Sequence, residues 1–234
     1  MTETKTAIVT AAGKGMGAAI AKELAASGYQ LALMSPSGSA ETLAKQLDAV
    51  GLTGSVAEAS DLKKLVDMTM DRYGRIDAVV NHTGHPPKGP LLEIPDSDWH
   101  IGLDMLLLNV IRMARLVTPI MIQQGGGAFV NISTAPLFEP EPSFPVSASV
   151  RAGLAVFTKI YSDQYAAQGI RMNIVMPGFI DSLTVVEERK QRIPMGRYGT
   201  VDEIAKTVRF LLSSEASYIT GQSIRVDGGL MRSI

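Results

Sequence analysis

Residues 6–25, TAIVTAAGKGMGAAIAKELA, constrain the fold more than any other stretch of the chain. A β-branched apolar run stops at a loop carrying Gly13, Gly15 and Gly17, and a helix-forming segment follows at once. Residues without Cβ let the backbone turn sharply and bring its N–H groups against a ligand, while the helix N-terminus adds favourable partial charge for an anion. Gly13, Gly15 and Ala18 also satisfy the GxGxxA spacing that seats a pyrophosphate. The stretch therefore predicts a strand–loop–helix unit that opens a parallel sheet and binds a dinucleotide.

The rest of the chain repeats that alternation. Strands are expected at 30–34, weakly near Ser55 and Val56, at 75–81, 128–133, 171–175 and 223–229. Between them lie helical patterns at 39–50, with Glu41 in the first turn where the helix dipole favours a carboxylate, and from Asp61 onward. Further helices are expected at 96–124, ended by the triple glycine 125–127, at 147–168 and at 201–213. The sixth strand stops at Pro177-Gly178. Strands alternating with long helices predict an α/β fold with a doubly wound parallel sheet (a Rossmann fold). We expect one domain over 1–234, with ligands at the carboxyl ends of the strands.

Composition narrows the partners. With 22 basic and 23 acidic residues, the net charge of −1 gives no reason to expect nucleic acid or an anionic membrane surface. The absence of cysteine removes disulfides and thiolate chemistry, and three histidines clustered in one region do not make a metal cage, so no metal is expected. The polar start lacks the pattern of a secretory leader, and no run of 18 uninterrupted apolar residues occurs, so no membrane partner and a cytoplasmic location are expected. At the end of the second strand stand Ser35, Pro36 and Ser37, with no acid to accept from a ribose 2′-hydroxyl. A 2′-phosphate would meet no repulsion there, Ser35 and Ser37 can donate to it, and Lys14 supplies positive charge. The sequence thus favours NADP(H), with NAD(H) possible.

In order and spacing these segments resemble the short-chain dehydrogenase/reductase family over nearly the whole chain. The family's TGxxxGxG loop appears as Thr10 to Gly17, with Ala11 in the first glycine position. Its NNAG segment is Asn81-His82-Thr83-Gly84, and the helix asparagine of its catalytic tetrad matches Asn109. Its NxVxPG segment is Asn173-Ile174-Val175-Met176-Pro177-Gly178, the threonine position of PGxxxT holds Ser182, and the ending YITGQSIRVDGG is also typical. The resemblance implies a nicotinamide cofactor held by Thr10, Gly13, Lys14, Gly15, Met16, Gly17, Ser35, Ser37, Ser55, Val56, Asn81, Gly84, Arg151, Pro177, Gly178, Ile180 and Ser182. It also implies a small-molecule substrate and a homo-oligomer, tetramer or dimer.

The family's reaction centre is altered. The tail RAGLAVFTK aligns the family's lysine with Arg151, its tyrosine with Ser147 and, by the usual spacing, its serine with Thr134. A one-residue shift would give Val146 and Val150, which fits the tail less well. The implied site is Asn109, Thr134, Ser147 and Arg151. Ser147 and Arg151 are i and i+4 on one helix face, and arginine can still donate to ribose hydroxyls. Serine is far less acidic than tyrosine, however, and the always-protonated arginine cannot act as its base. Tyr161 lies about 21 Å farther along the helix, at about 1.5 Å per residue, and Tyr165 farther still. Tyr198, His85, Glu139 and Glu141 are the other candidate proton donors or neighbours, and the charged run 187–192 reads as a solvated helix face within a short lid, 181–199.

The leading expectation is an NADP-dependent oxidoreductase for a small carbonyl or hydroxyl compound. In it Thr134 polarises the carbonyl, Asn109 holds a water and Ser147 completes a relay. Two alternatives stand beside it. One is a catalytically silent dinucleotide-binding protein, a sensor or oligomer partner; the other is a non-redox lyase or dehydratase on the same fold.

Overall fold

The glycine loop lies between β1 (Thr6–Thr10) and α1 (Gly15–Ala26), as the sequence predicts. The computed structural model describes residues 4–233. After α1 come β2 (Gln30–Ser35), α2 (Ser39–Gln46), β3 (Val50–Thr53), α3 (Ala59–Tyr73) and β4 (Ala78–Asn81). Next are α4 (Asp96–Leu103), a π-helical turn (Asp104–Leu108), α5 (Asn109–Gln124), β5 (Gly127–Ile132) and α6 (Pro145–Tyr165). The chain closes with β6 (Ile170–Pro177), α7 (Glu187–Gln191), α8 (Val201–Leu212) and β7 (Ser223–Val226).

The seven strands form one sheet in the order β3-β2-β1-β4-β5-β6-β7, every neighbour parallel. Successive side chains on a strand face opposite ways, so a parallel sheet needs cover on both sides. Ala7 and Val9 of β1 pack with Ile20 and Leu24 of α1, Leu43 of α2 and Val208 of α8. Ile8, between them, packs with Leu62 and Leu65 of α3 and Met113 and Val117 of α5. Leu154 of α6 joins Ile174 and Met176 on that second side. The order reverses between β1 and β4, and at such a switch point the loops separate into a ligand crevice.

Several boundaries differ from the sequence-based expectation. The helix expected over 39–50 stops at Gln46, Asp48 takes a left-handed φ of 49°, and Val50 pairs with Ala32 in the sheet. The third strand is thus Val50–Thr53, and Ser55 and Val56 lie in the loop beyond it, where the Ser55 N–H donates to Asp61 Oδ2 at 2.9 Å. Pairing with β2 drew the strand forward, a constraint no local pattern carries. The fourth strand is Ala78–Asn81, shorter than the expected 75–81, and just before it the Asp77 carboxylate accepts the Thr6 N–H at 2.8 Å and pairs with Arg75. The helix expected from Ser147, α6, begins two residues earlier, with Pro145 at its first turn.

The helical run Asp96–Gln124 is long and apolar enough, with a mean hydropathy of 1.7, to cross a membrane by length and composition. Its apolar stripe, Val110, Met113, Ala114, Val117 and Met121, is instead buried against the sheet and its neighbouring helices. Gly125, at φ 83°, ends the run in the left-handed conformation that the glycine cluster predicts.

Ala11 has φ 48°, a left-handed conformation that costs an L-residue about 1–2 kcal/mol. Glycine removes that strain but loses about 0.5–1 kcal/mol to its greater freedom in the unfolded chain. Ala11→Gly is therefore expected to leave stability unchanged or raise it by up to about 1 kcal/mol in urea unfolding. A loss of more than about 1 kcal/mol would show that the Ala11 methyl makes packing the conformation does not reveal.

Candidate active site

The loop after β1 forms a cradle whose floor only glycine fits. A Cβ on Gly17 would meet the Ala11 backbone, with its carbonyl carbon at 2.9 Å, and one on Gly13 would stand 3.0 Å from Ser35 Oγ. Gly15, at φ 54°, faces Ser182 across the mouth, where a Cβ would lie 3.4 Å from that of Ser182. Lys14 is exposed at the rim and Met16 tucks half-buried against the core. A solvent-filled groove of about 700 Å³ continues from Gly13, Lys14 and Gly15 to Ser182 and Lys206.

At the end of β2 the expected donors divide. Ser35 is buried, donates to the Ser37 carbonyl at 2.7 Å and accepts the Ala40 N–H at 3.1 Å. Ser37 is exposed and shares a 2.7 Å hydrogen bond with Ser39, which the sequence reading did not single out. The signal for Ser39 was its place at the start of α2, beside an unpaired helix N-terminus. Glu41, the nearest acid in sequence, accepts the Thr53 N–H at 2.9 Å, which lowers its pKa.

The switch point is stitched by Thr10. Its hydroxyl donates to the His82 carbonyl at 2.7 Å and accepts the His82 N–H at 2.9 Å. Next to it the buried Asn81 amide donates to Asn131 Oδ1 at 2.9 Å, and Asn131 donates to Thr158 of α6 at 3.2 Å. Gly84 lies in the exposed loop beyond β4 with open space around it. Pro177 ends β6, Gly178 lies against Asp227 with no room for a side chain, and Ile180 is buried beside Gly199.

Ser147 and Arg151 share one face of α6, and Arg151 Nε donates to Ser147 Oγ at 3.2 Å. Arg151 Nη1 reaches the end of β5 and donates to the Ile132 carbonyl at 2.8 Å. Desolvation pulls the Arg151 pKa down to about 10, which leaves it charged at neutral pH. Thr134 is half-buried two residues past β5. Asn109 begins α5 directly after the π-helical turn, an irregularity frequent at functional sites, and its buried Oδ1 has no hydrogen-bond partner. Ser133 Oγ is likewise buried and without a partner. Ser133 and His82 are the further polar groups that sequence reasoning passed over; each adjoins a residue that the motif did name.

The other candidates are committed elsewhere. Tyr161 shares a 2.5 Å hydrogen bond with Thr118 in the core, its pKa pushed up to about 12 by burial, and the tilted Tyr165 ring packs against it at 4.6 Å between centroids. Tyr198 is buried, stacks on Phe179 and accepts the Val186 N–H at 3.2 Å. Glu141 pairs with Arg192 at 2.6 Å and Glu139 accepts the Ser233 N–H, so neither pairs with Arg151. His85 is exposed near Lys88 and Arg151, and its pKa is lowered by burial and by those cations.

Comparison with known proteins agrees with the fold. The profile of a family described as enoyl-(acyl carrier protein) reductase matches residues 10–231. The chain is 34% identical over 245 aligned residues to the 3-oxoacyl-[acyl-carrier-protein] reductase FabG of Staphylococcus aureus, covering 98% of this chain and 99% of that one. It is 32% identical over 244 aligned residues to FabG of Thermotoga maritima, covering 98% of each. Among solved structures, a blue fluorescent protein from a metagenomic library, crystallised in complex with NADPH, superposes with a TM-score of 0.92 at 26% identity, covering 98% of this chain and 99% of that one.

Burial first, then the Arg151 and His85 charges, lower the His82 pKa from 6.5 to about 4. Between those values the unfolded chain takes up a proton that the folded chain refuses, so stability falls as pH drops from about 6.5 to 4. Wild type is expected to lose on the order of 2–3 kcal/mol more than His82→Gln between pH 7 and pH 4 in denaturant melts. Parallel losses in the two proteins would show that His82 titrates normally.

Proposed function

The chain belongs to the short-chain dehydrogenase/reductase family, and we propose that within it the protein is a cytoplasmic NADP(H)-dependent oxidoreductase for a small carbonyl or hydroxyl compound. Its site is Asn109, Thr134, Ser147 and Arg151. One observation carries this reading: Ser147 Oγ accepts from the Arg151 guanidinium at 3.2 Å. The serine's own hydrogen is then free to donate to a carbonyl oxygen, and the adjacent cation strengthens it as a donor. A reduced nicotinamide, when bound, supplies hydride to the carbonyl carbon.

The residues present fit such a cofactor. Gly13 and Gly17 leave a floor that any Cβ would fill, and Gly15 takes a left-handed φ of 54°, which together let backbone N–H groups approach a pyrophosphate. Thr10 and Ser182 bound the cradle, Asn81 and Gly84 continue it past β4, and Pro177, Gly178 and Ile180 close it beyond β6. Ser55 and Val56, in the loop after β3, stand at the same edge. Ser37 and Ser39, with Lys14, suit a 2′-phosphate better than a bare hydroxyl, which favours NADP(H) over NAD(H). The solved relative crystallised with NADPH supports the same choice.

Ser147 and Thr134 hydroxyls donate to the substrate oxygen. Asn109 Oδ1, buried with no protein partner, holds a water whose proton passes by way of Ser147 to that oxygen. Arg151 holds Ser147 in place and donates to a ribose hydroxyl with one of its remaining N–H groups. A homo-oligomer, tetramer or dimer, accompanies this reading, supported by Val156 and Ile160 lying exposed on α6.

A second reading, a silent dinucleotide-binding protein, has its own support: the tyrosines Tyr161, Tyr165 and Tyr198 are all engaged in packing away from Ser147. NADPH oxidation across a panel of small aldehydes and ketones separates the two. Turnover with at least one is expected; tight NADPH binding with no turnover on any would leave the silent reading. Ser147→Tyr with Arg151→Lys is expected to raise the rate on a substrate of wild type by at least tenfold, and reductase activity found only in that double variant would mark the parent as silent. For cofactor choice, Ser37→Asp is expected to weaken NADPH binding at least tenfold, about 1.4 kcal/mol, relative to NADH. An unchanged ratio in fluorescence titrations would move the 2′-phosphate away from Ser37.

A further inference from the structure

Arg151 is a buried cation without a counter-charge. It is 7% exposed, and among the described residues no carboxylate pairs with it. Its Nε is committed to Ser147 and its Nη1 to the Ile132 carbonyl, both uncharged. No described residue accepts from Nη2, yet Nη2 is not among the polar atoms sealed from solvent. One edge of the guanidinium is thus left open to a ligand.

The surroundings sharpen the imbalance. Burial lowers the His82 and His85 pKa values most, and the Arg151 charge adds to that at both, with Lys88 beside His85. The two nearby acids face away: Glu139 is bound to Ser233 and Glu141 to Arg192. Two further polar atoms of the site, Asn109 Oδ1 and Ser133 Oγ, lack partners. An uncompensated buried charge is strongly unfavourable, and the planar guanidinium fork matches a carboxylate in two parallel hydrogen bonds. Ribose hydroxyls can accept from arginine, but they carry no charge to offset it.

We propose that the substrate is a short oxo acid or hydroxy acid whose carboxylate docks on the open Nη2 edge of Arg151. This rests on the reading above, in which the substrate's reacting oxygen meets Ser147. Because Arg151 hydrogen-bonds Ser147 directly, the carboxylate and the reacting carbonyl are neighbours, so a 2-oxo or 3-oxo acid spans the site. Arginine in place of the family's lysine then acts in substrate selection as well as in positioning Ser147.

The test compares each acid with its neutral twin, without turnover. Pyruvate and acetoacetate, and their methyl esters, are titrated calorimetrically into the protein alone and into the protein saturated with NADP+. At least one acid is expected to bind at least tenfold more tightly than its ester, Arg151→Met to erase that preference, and Arg151→Lys to retain part of it. In parallel, ¹⁵N imidazole shifts of wild type are expected to show the His82 pKa rising with acid and not with ester, as the Arg151 charge is neutralised. Equal or weaker binding of both acids in wild type would overturn the proposal, whatever the variants do. NADP+ binding without acid binding would sink the carboxylate site alone; acid binding without NADP+ binding would sink the oxidoreductase reading and leave the carboxylate site standing.

Discussion

Every strand of this sheet runs the same way, so all seven carboxyl ends lie along one edge, where an α/β sheet binds its ligands. The point that matters is the gap between β1 and β4, where the strand order reverses. Thr10 closes the bottom of that gap by hydrogen-bonding both the N–H and the carbonyl of His82. The pairing fixes the glycine loop on one side and the Asn81–Gly84 segment on the other. What lies above it is the crevice at the switch point.

A second device ties the crevice to α6. Asn81, Asn131 and Thr158 form a buried polar chain from β4 through β5 to the helix. A satisfied buried network of this kind fixes one arrangement, because any slip leaves amides unpaired in a low-dielectric interior. It sets the height of α6 over the sheet, and with it the place of Ser147 and Arg151. Arg151 then reaches back to the Ile132 carbonyl, so the helix and the end of β5 hold each other.

Ser147 carries a small hydroxyl of low acidity, and Arg151 beside it is a wide, permanently charged donor. The two are hydrogen-bonded to each other, so they are best understood as one unit. Asn109 Oδ1 and Ser133 Oγ, buried without partners, add hydrogen-bonding capacity that the protein itself does not consume.

The sequence by itself determined the βαβ alternation, the glycine loop and the i, i+4 pairing of Ser147 with Arg151, because periodicity and spacing along a helix or strand are local properties. It also located the helix stop at Gly125, where only a residue without Cβ turns easily. The register of the third strand was not legible: Val50 sits where a helical pattern still runs, and only pairing with Ala32 makes it a strand. Nor could spacing say that Tyr161 is bound to Thr118, or that Glu139 and Glu141 would be held by Ser233 and Arg192 and leave Arg151 unpaired. Those partners lie 43 to 94 residues away. Which charge is compensated and which is left for a ligand depends on such long-range neighbours, and only the folded chain brings them together.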